Sequence, residues 1–335
     1  MSRAPAILAR VKLQQLRYLA EIVRRDLNVS AAAARLYTSQ PGVSKQIRQL
    51  EQELGVELFQ RRGKQFVALT PAGQAVLTQA EDMLARADTI RRLAQDFAAP
   101  DQGELGIATT HTQAGFVLPP VLAAFHARFP QVRINLLQGT PQQLADMAQQ
   151  DDVDLLITTE DPALYPHLVL LPVASWHYGL LCRREHPLAS APVLTLAAIA
   201  AHPLVSYSFA FDGHSVLEDC FAAAGLRPRL ALTAVDTSVL KRYVREGLGV
   251  GLMAAAAYDA VADTDLALLD AGALLPRGRV HVAFAPGRFL RGYVYDFVAL
   301  LAPHLTREVV DEARHLRDPR AIAALIATTA PAAMI

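Results

Sequence analysis

At 335 residues the chain is too long for one ordinary domain, and with 52% apolar residues it can bury real cores, which excludes a disordered protein. The net charge is zero, but residues 1–100 carry 15 Lys+Arg against 9 Asp+Glu, while the other 235 carry 17 against 23. A basic amino-terminal third on an acidic body is the asymmetry of a DNA-binding module joined to something else. The two cysteines, Cys182 and Cys220, show neither CxxC spacing nor clustered histidines, so no disulfide framework, zinc site or other metal site is expected. No apolar run reaches the ~20 residues that span a bilayer. The amino terminus also lacks a secretory leader pattern, so a cytoplasmic protein with no membrane partner is expected.

Residues 13–23 place Leu13, Leu16, Leu19, Ala20 and Val23 at helical spacing. Asn28 and Ser30 are N-cap types ahead of an alanine-rich helix over 31–36. A turn follows at residues 37–39. Ser39 can cap a third helix, and Pro41 falls in its first turn, where a missing N–H costs nothing. In that helix Val43, Ile47, Leu50 and Leu54 line one face, and Gln40, Ser44, Lys45, Arg48 and Gln52 the other. Helix, tight turn and polar second helix in this order form a helix-turn-helix, whose second helix enters a DNA major groove. Gly55 ends the helix. The basic segment 61–66 reads as a wing, with Arg61, Arg62 and Lys64 placed for phosphate or minor-groove contact, or else as a generic basic turn.

Thr70 and Pro71 open a helix running to about residue 97. Val76, Ala80, Met83, Ala87, Ile90, Ala94 and Phe97 are spaced four and three in alternation, a heptad seam. The seam predicts a two-helix coiled coil between copies; packing onto the chain's own body is the alternative. From about residue 101 strands and helices alternate. Strands are expected at 105–109, 132–137 and 153–158, with helices at 113–129 and 141–150 between them. A second segment, about 173–275, repeats the theme with strands at 178–182, 204–207, 230–234 and 250–253, before a late strand at 280–284 returns to the first lobe. This pace implies mostly parallel sheets with helices on their faces.

The expected strand ending at Thr109 runs into Thr110, His111, Thr112 and Gln113 at a helix mouth, and Thr158 and Thr159 end a strand of the same lobe. Hydroxyls, an amide and backbone N–H groups at a helix start make an anion site, with simple N-capping by Thr110 or Thr112 as the alternative. The glycines at 247, 249 and 251 follow a helix and precede a strand, the reverse of a nucleotide-binding loop, so a helix cap and turn is expected. No nucleophile elbow, Cys/His pairing or HExxH sequence points to catalysis.

The stretches LQQLRYLAEI, LNVSAAAARLYTSQPGVSKQIRQLEQELGVELFQRRGK and LTPAG resemble the LysR-type transcriptional regulators. TTHTQA, PLVSYSF, GLGVG and YVYDFVALLAPHLTREVV extend the likeness to the CysB branch of sulfur-assimilation regulators over nearly the whole chain from Lys12. The resemblance implies a winged helix-turn-helix (12–70), a long linker helix for dimerisation (71–100) and an α/β effector domain of two lobes (101–325), like a periplasmic binding protein. The first lobe would comprise 101–172 and 277–325, the second 173–276. Residues 1–11 would be an amino-terminal extension. Ser39, Gln40, Pro41, Ser44, Lys45, Arg48, Arg61, Arg62 and Lys64 would meet promoter DNA, and Thr110, Thr112, Gln113 and Thr159 would line the effector pocket. The implied partners are further copies in a homodimer or homotetramer, and RNA polymerase. No cofactor is implied; the effector would be a small sulfur metabolite such as O-acetylserine, N-acetylserine, sulfate or thiosulfate.

One departure stands out. Where the branch reads Phe-Thr-Gly-Arg-Ser, this chain has Phe211, Asp212, Gly213, His214 and Ser215. A carboxylate at Asp212 would repel a bare anion and suit a zwitterion such as O-acetylserine, unless it is only an exposed turn residue. Sulfonate or other organosulfur use is the second reading of the regulon. A small-molecule-binding protein without DNA function is the reading of another class.

Overall fold

In the computed structural model, which describes residues 11–63, 65–148, 153–211, 215–316 and 319–328, the chain divides into units at Met1–Gln95 and Asp96–Ile335. In the first unit α1 (Leu13–Arg24), α2 (Val29–Arg35) and α3 (Gln40–Leu54) close around Leu19, Ile22, Val43, Ile47 and Leu50, all fully buried. The caps are local. Asn28 Oδ1 accepts the Ala31 N–H at 3.0 Å, Ser39 Oγ accepts that of Gly42 at 3.3 Å, and α3 stops where Gly55 turns to φ +72°. The polar Gln15 is also fully buried, because its Oε1 accepts the Lys12 N–H and its Nε2 donates to Glu53 of α3.

Strands β1 (Phe59–Arg62) and β2 (Gln65–Leu69) form an antiparallel hairpin, with Phe59 and Phe66 stacked at 4.3 Å. Thr70 Oγ1 then caps α4 (Pro71–Ala98) by accepting the Gly73 N–H at 2.9 Å. Of the heptad seam, Ala80 buries in the core of the first unit with Val76 packed half-buried against it, whereas Met83, Ile90 and Phe97 remain 50%, 69% and 84% exposed.

The second unit runs β3 (Gly103–Thr109), α5 (Leu118–Arg128), β4 (Val132–Gln138), α6 (Pro141–Met147), β5 (Leu155–Thr158), β6 (Val169–Trp176), β7 (Tyr178–Arg183), α7 (Leu196–Ala200), β8 (Leu204–Tyr207), α8 (Val216–Ala223), β9 (Leu230–Ala234), α9 (Thr237–Arg245), β10 (Val250–Ala254), β11 (Leu266–Asp270), β12 (Gly278–Phe284), α10 (Gly292–Leu301), α11 (Arg307–His315) and α12 (Pro319–Thr328). One sheet has the order β4-β3-β5-β12-β6, the other β9-β8-β10-β7-β11. The two orders are the same: three parallel strands, then one that arrives from the other lobe and pairs antiparallel on both sides.

The sheets are therefore mixed, not mostly parallel as their sequence suggested, because a strand crossing from the opposite lobe enters from the far end. β6 and β11 were not anticipated. Pro172 reads as a strand breaker, yet it sits on the edge strand β6 beside a bulge at Val173, where a missing N–H is tolerated. β6 stays in the first sheet to Trp176 and β7 enters the second at Tyr178, so the lobes divide at His177 rather than at 172/173.

The helix expected over 113–129 runs unbroken to Arg128, but its first turn, Gln113–Val117, is π-helical, because Pro119 and Pro120 at the start of α5 cannot donate the bonds of a regular ladder. Gly247 ends α9 at φ +81°, and Gly249 passes so close to the Pro203 carbonyl oxygen that a Cβ would lie 2.1 Å from it. The glycine run is a cap and close crossing, as its order implied. The first lobe's core includes Phe125, Val282, Tyr293 and Phe297, and the second's Leu181, Phe221, Leu240 and Leu252.

Candidate functional site

On α3, Gln40, Pro41, Lys45 and Arg48 are exposed, and Ser44 is half-buried beside them. Gln40 Nε2 donates to Ser44 Oγ at 3.1 Å and Arg48 Nε to the Ser44 carbonyl at 3.2 Å, so local bonds order these side chains along one face. The buried stripe of α3 turns this face away from the core. Ser39 is exposed but its hydroxyl is engaged as the cap. Tyr37, which sequence reasoning treated only as part of the turn, is 93% exposed at φ +50°. No sequence signal singles it out, since its exposure and left-handed backbone appear only in the structure.

The hairpin separates its arginines. Arg61 pairs with Glu51, whose carboxylate is nearly buried and also accepts the N–H groups of Leu58 (2.9 Å) and Phe59 (3.3 Å). Arg61 lies 5.3 Å over Phe66 as well. Its first task is thus to tie α3 to the hairpin. Arg62 is exposed with no partner among the described residues, and Lys64 lies outside the described residues.

In the second unit, parallel pairing of Thr109 with Ile157 brings the ends of β3 and β5 together, which sets Thr110 beside Thr158 and Thr159. Thr109 Oγ1 donates to the Ile157 carbonyl at 2.8 Å, tying the strands where they end. Thr110, Thr112 and Gln113 are all more than nine-tenths buried. Thr110 Oγ1 accepts the Gln113 N–H at 3.4 Å, so the capping alternative applies to Thr110. It does not apply to Thr112, whose hydroxyl reaches the second lobe, 3.3 Å from Tyr207 OH and 2.9 Å from Thr237 Oγ1. Gln113 Oε1 is buried and has no hydrogen-bond partner, an unused acceptor beside this cluster.

Thr159 is half-buried and donates to Glu160 at 3.3 Å, while Thr158 shares a hydrogen bond with Tyr165 OH at 3.1 Å. Asp212 lies outside the described residues, with Gly213 and His214. Tyr207 and Thr237 are the residues that sequence reasoning missed. Thr237, in the first turn of α9, carries no sequence signal for a role 125 residues from Thr112. Burial pushes the Tyr207 phenol up from its ordinary value, with the Thr112 and Thr237 hydrogen bonds opposing; burial likewise raises Tyr178. Both are neutral hydroxyls near pH 7. Lys241, one turn after Thr237, is 4.7 Å from the Phe116 ring of the π turn, but its charge is matched by buried Asp263. Among the described residues the arrangement is a set of hydroxyl and amide groups suited to hold a small polar molecule, with no nucleophile-base pair arranged among them.

A family model described as "Bacterial regulatory helix-turn-helix protein, lysR family" matches residues 13–74, and one described as "LysR substrate binding domain" matches residues 98–306. The chain belongs to the LysR family of transcriptional regulators. This LysR-type regulator is 46% identical to the HTH-type transcriptional regulator CysB of Haemophilus influenzae, covering 93% of this chain and 96% of that protein. It is 45% identical to the regulator SsuR of Burkholderia cenocepacia over 88% and 96% of the two chains. The cofactor-binding domain of the Cbl transcriptional regulator superimposes with a TM-score of 0.60 at 38% identity, covering 64% of this chain and 95% of that one. The members it matches are DNA-binding regulators, not enzymes, and their effector domain is the two-lobed α/β body seen here. Among the described residues no helix is long and apolar enough to cross a membrane.

Proposed function

We propose that this regulator controls sulfur-acquisition genes, gripping promoter DNA through α3 and the hairpin and changing that grip when a small sulfur metabolite enters between the lobes. The observation that carries the effector reading is the buried cluster of Thr110, Thr112 and Gln113 at the mouth of β3, with the unpartnered Gln113 oxygen. Resemblance to CysB supplies the sulfur context. Near-equal identity to SsuR favours sulfonate use as the second reading. Residues 12–70 would then be the DNA reader, 71–100 the dimerising helix and 101–325 the sensor.

In this reading Gln40, Ser44, Lys45 and Arg48 meet bases and adjacent phosphates, with Ser39 and Pro41 setting the start of their helix, and Arg62 and Lys64 hold the backbone. Tyr37 adds a phenol beside them. The exposed stripe Met83, Ile90 and Phe97 pairs with a second copy. Promoter activation proceeds through RNA polymerase, with the regulator in the cytoplasm as a homodimer or homotetramer.

Calorimetric titration of the full chain with O-acetylserine, N-acetylserine, sulfate and thiosulfate, repeated on Asp212→Thr, tests the effector. Micromolar binding of one of them supports the sulfur reading. Preference for the amino-acid ester that disappears in Asp212→Thr supports an ammonium contact there. Silence from all four, with binding of an alkanesulfonate instead, moves the regulon to sulfonate use.

A further inference from the structure

Thr112 belongs to the first lobe, Tyr207 and Thr237 to the second, and their three hydroxyls meet pairwise at 3.3, 2.9 and 2.8 Å. All three side chains are buried, at 9%, 3% and 0% exposure. Each hydroxyl has one proton to donate. Thr112 donates to Tyr207; if Tyr207 donates to Thr237 and Thr237 to Thr112, the ring closes in one direction and engages every proton. The Ala254 N–H at 3.3 Å takes the other acceptor position of the phenol. The ring has no donor left for a ligand.

We propose that this ring is a latch between the lobes that an anionic effector must open, and that Thr237 thereby sets effector affinity without touching the effector. The inference rests on the reading of Thr110, Thr112 and Gln113 as the effector site. An anion held by Thr112 needs that hydroxyl's proton, which it gains only by breaking the bond to Tyr207. Ligand entry and a change in the contact between the lobes are then one event. A ligand that favours one arrangement of the lobes in this way has the differential interaction that switching requires. Thr237 is a positioning residue here: removing its hydroxyl leaves Thr112 with one partner in place of two, freer to turn toward a ligand.

The test uses the full chain and the isosteric variant Thr237→Val, with Thr112→Ser as a control that keeps the ring. Amide hydrogen exchange without added ligand is expected to quicken at Ala254 and across residues 112–118 in Thr237→Val and to hold in Thr112→Ser. Titration with sodium sulfate is expected to show Thr237→Val binding about tenfold more tightly, the worth of one net hydrogen bond. Unchanged exchange in Thr237→Val overturns the latch, and unchanged or weaker sulfate binding overturns the competition. Tyr207→Phe gives a second reading of both should Thr237→Val fold poorly. Thr110→Val separates the underlying reading: sulfate binding that survives it removes the effector site, a wild-type chain that ignores sulfate overturns the competition with an anion, and the exchange rates still decide the latch.

Discussion

On α3, Gln40, Lys45 and Arg48 stand exposed, and the bonds that hold Gln40 and Arg48 stay within one helical turn. At the cleft, Thr112, Tyr207 and Thr237 are buried and bonded to one another across 95 and 125 residues of chain. On the exposed face water completes the remaining hydrogen bonds, so its cations and amides stay available to a partner such as a phosphate backbone. The three cleft hydroxyls are already bonded because a buried hydroxyl without a partner is costly, so a ligand that takes one of them would replace an existing bond. On the proposed reading, one unit recognises by addition and the other by exchange.

The sharpest way to break this contrast is at Glu51, where the DNA-binding unit has its own buried polar centre. Glu51→Ala leaves the Leu58 and Phe59 N–H groups and Arg61 without an acceptor. It is expected to cost on the order of 3 kcal/mol in chemical denaturation, with Glu51→Gln losing less. Little change in stability would make this centre as tolerant as the exposed face.

The second test is acid. Burial, with Arg279 nearby and Asp161 opposing, lowers His281 to about 4, and its Nδ1 is buried without a partner. The folded chain therefore binds this proton less readily than the unfolded one. The stability concerned is complete above pH 6.5 and drains away as pH falls toward 4, by up to about 3 kcal/mol. His281→Gln should flatten that part of a pH-stability curve, and parallel curves for the two proteins would refute the assignment.

Two smaller effects sharpen the exposed side. Arg48→Ala should weaken operator binding about 10- to 100-fold in a fluorescence titration while leaving the unfolding curve in place, as a loss of ~1–3 kcal/mol in base contact requires. Arg62→Ala should lower the slope of log affinity against log salt by about one. Arg61→Ala should act mainly on stability, through Glu51. Equal slopes for the two variants would place Arg61 on the DNA after all.

The contrast also explains what was legible. Val43, Ile47 and Leu50, the caps Asn28, Ser39 and Thr70, and Gly55 act over three to eleven positions, so the helix-turn-helix and its polar face could be read directly from residue order. The cluster at Thr110 was visible for the same reason, as a strand running into a helix start. β6 was not legible because its place in the sheet depends on pairing with β12 more than a hundred residues later, where an edge position beside a bulge tolerates Pro172. The same limit hid the pairing of Arg61 with Glu51 and the division of the α4 seam into buried and exposed halves.

Residue order by itself determined the family, the amino-terminal helices and their caps, the polar face of α3 and the polar mouth of β3, since each follows from spacing, charge and capping among near neighbours. Only the tertiary structure decided that the sheets are mixed, that Arg61 is held internally, and that Thr112 is bonded to Tyr207 and Thr237. Those outcomes depend on which distant groups share a buried volume, and a buried polar atom bonds to whatever partner the fold sets within reach.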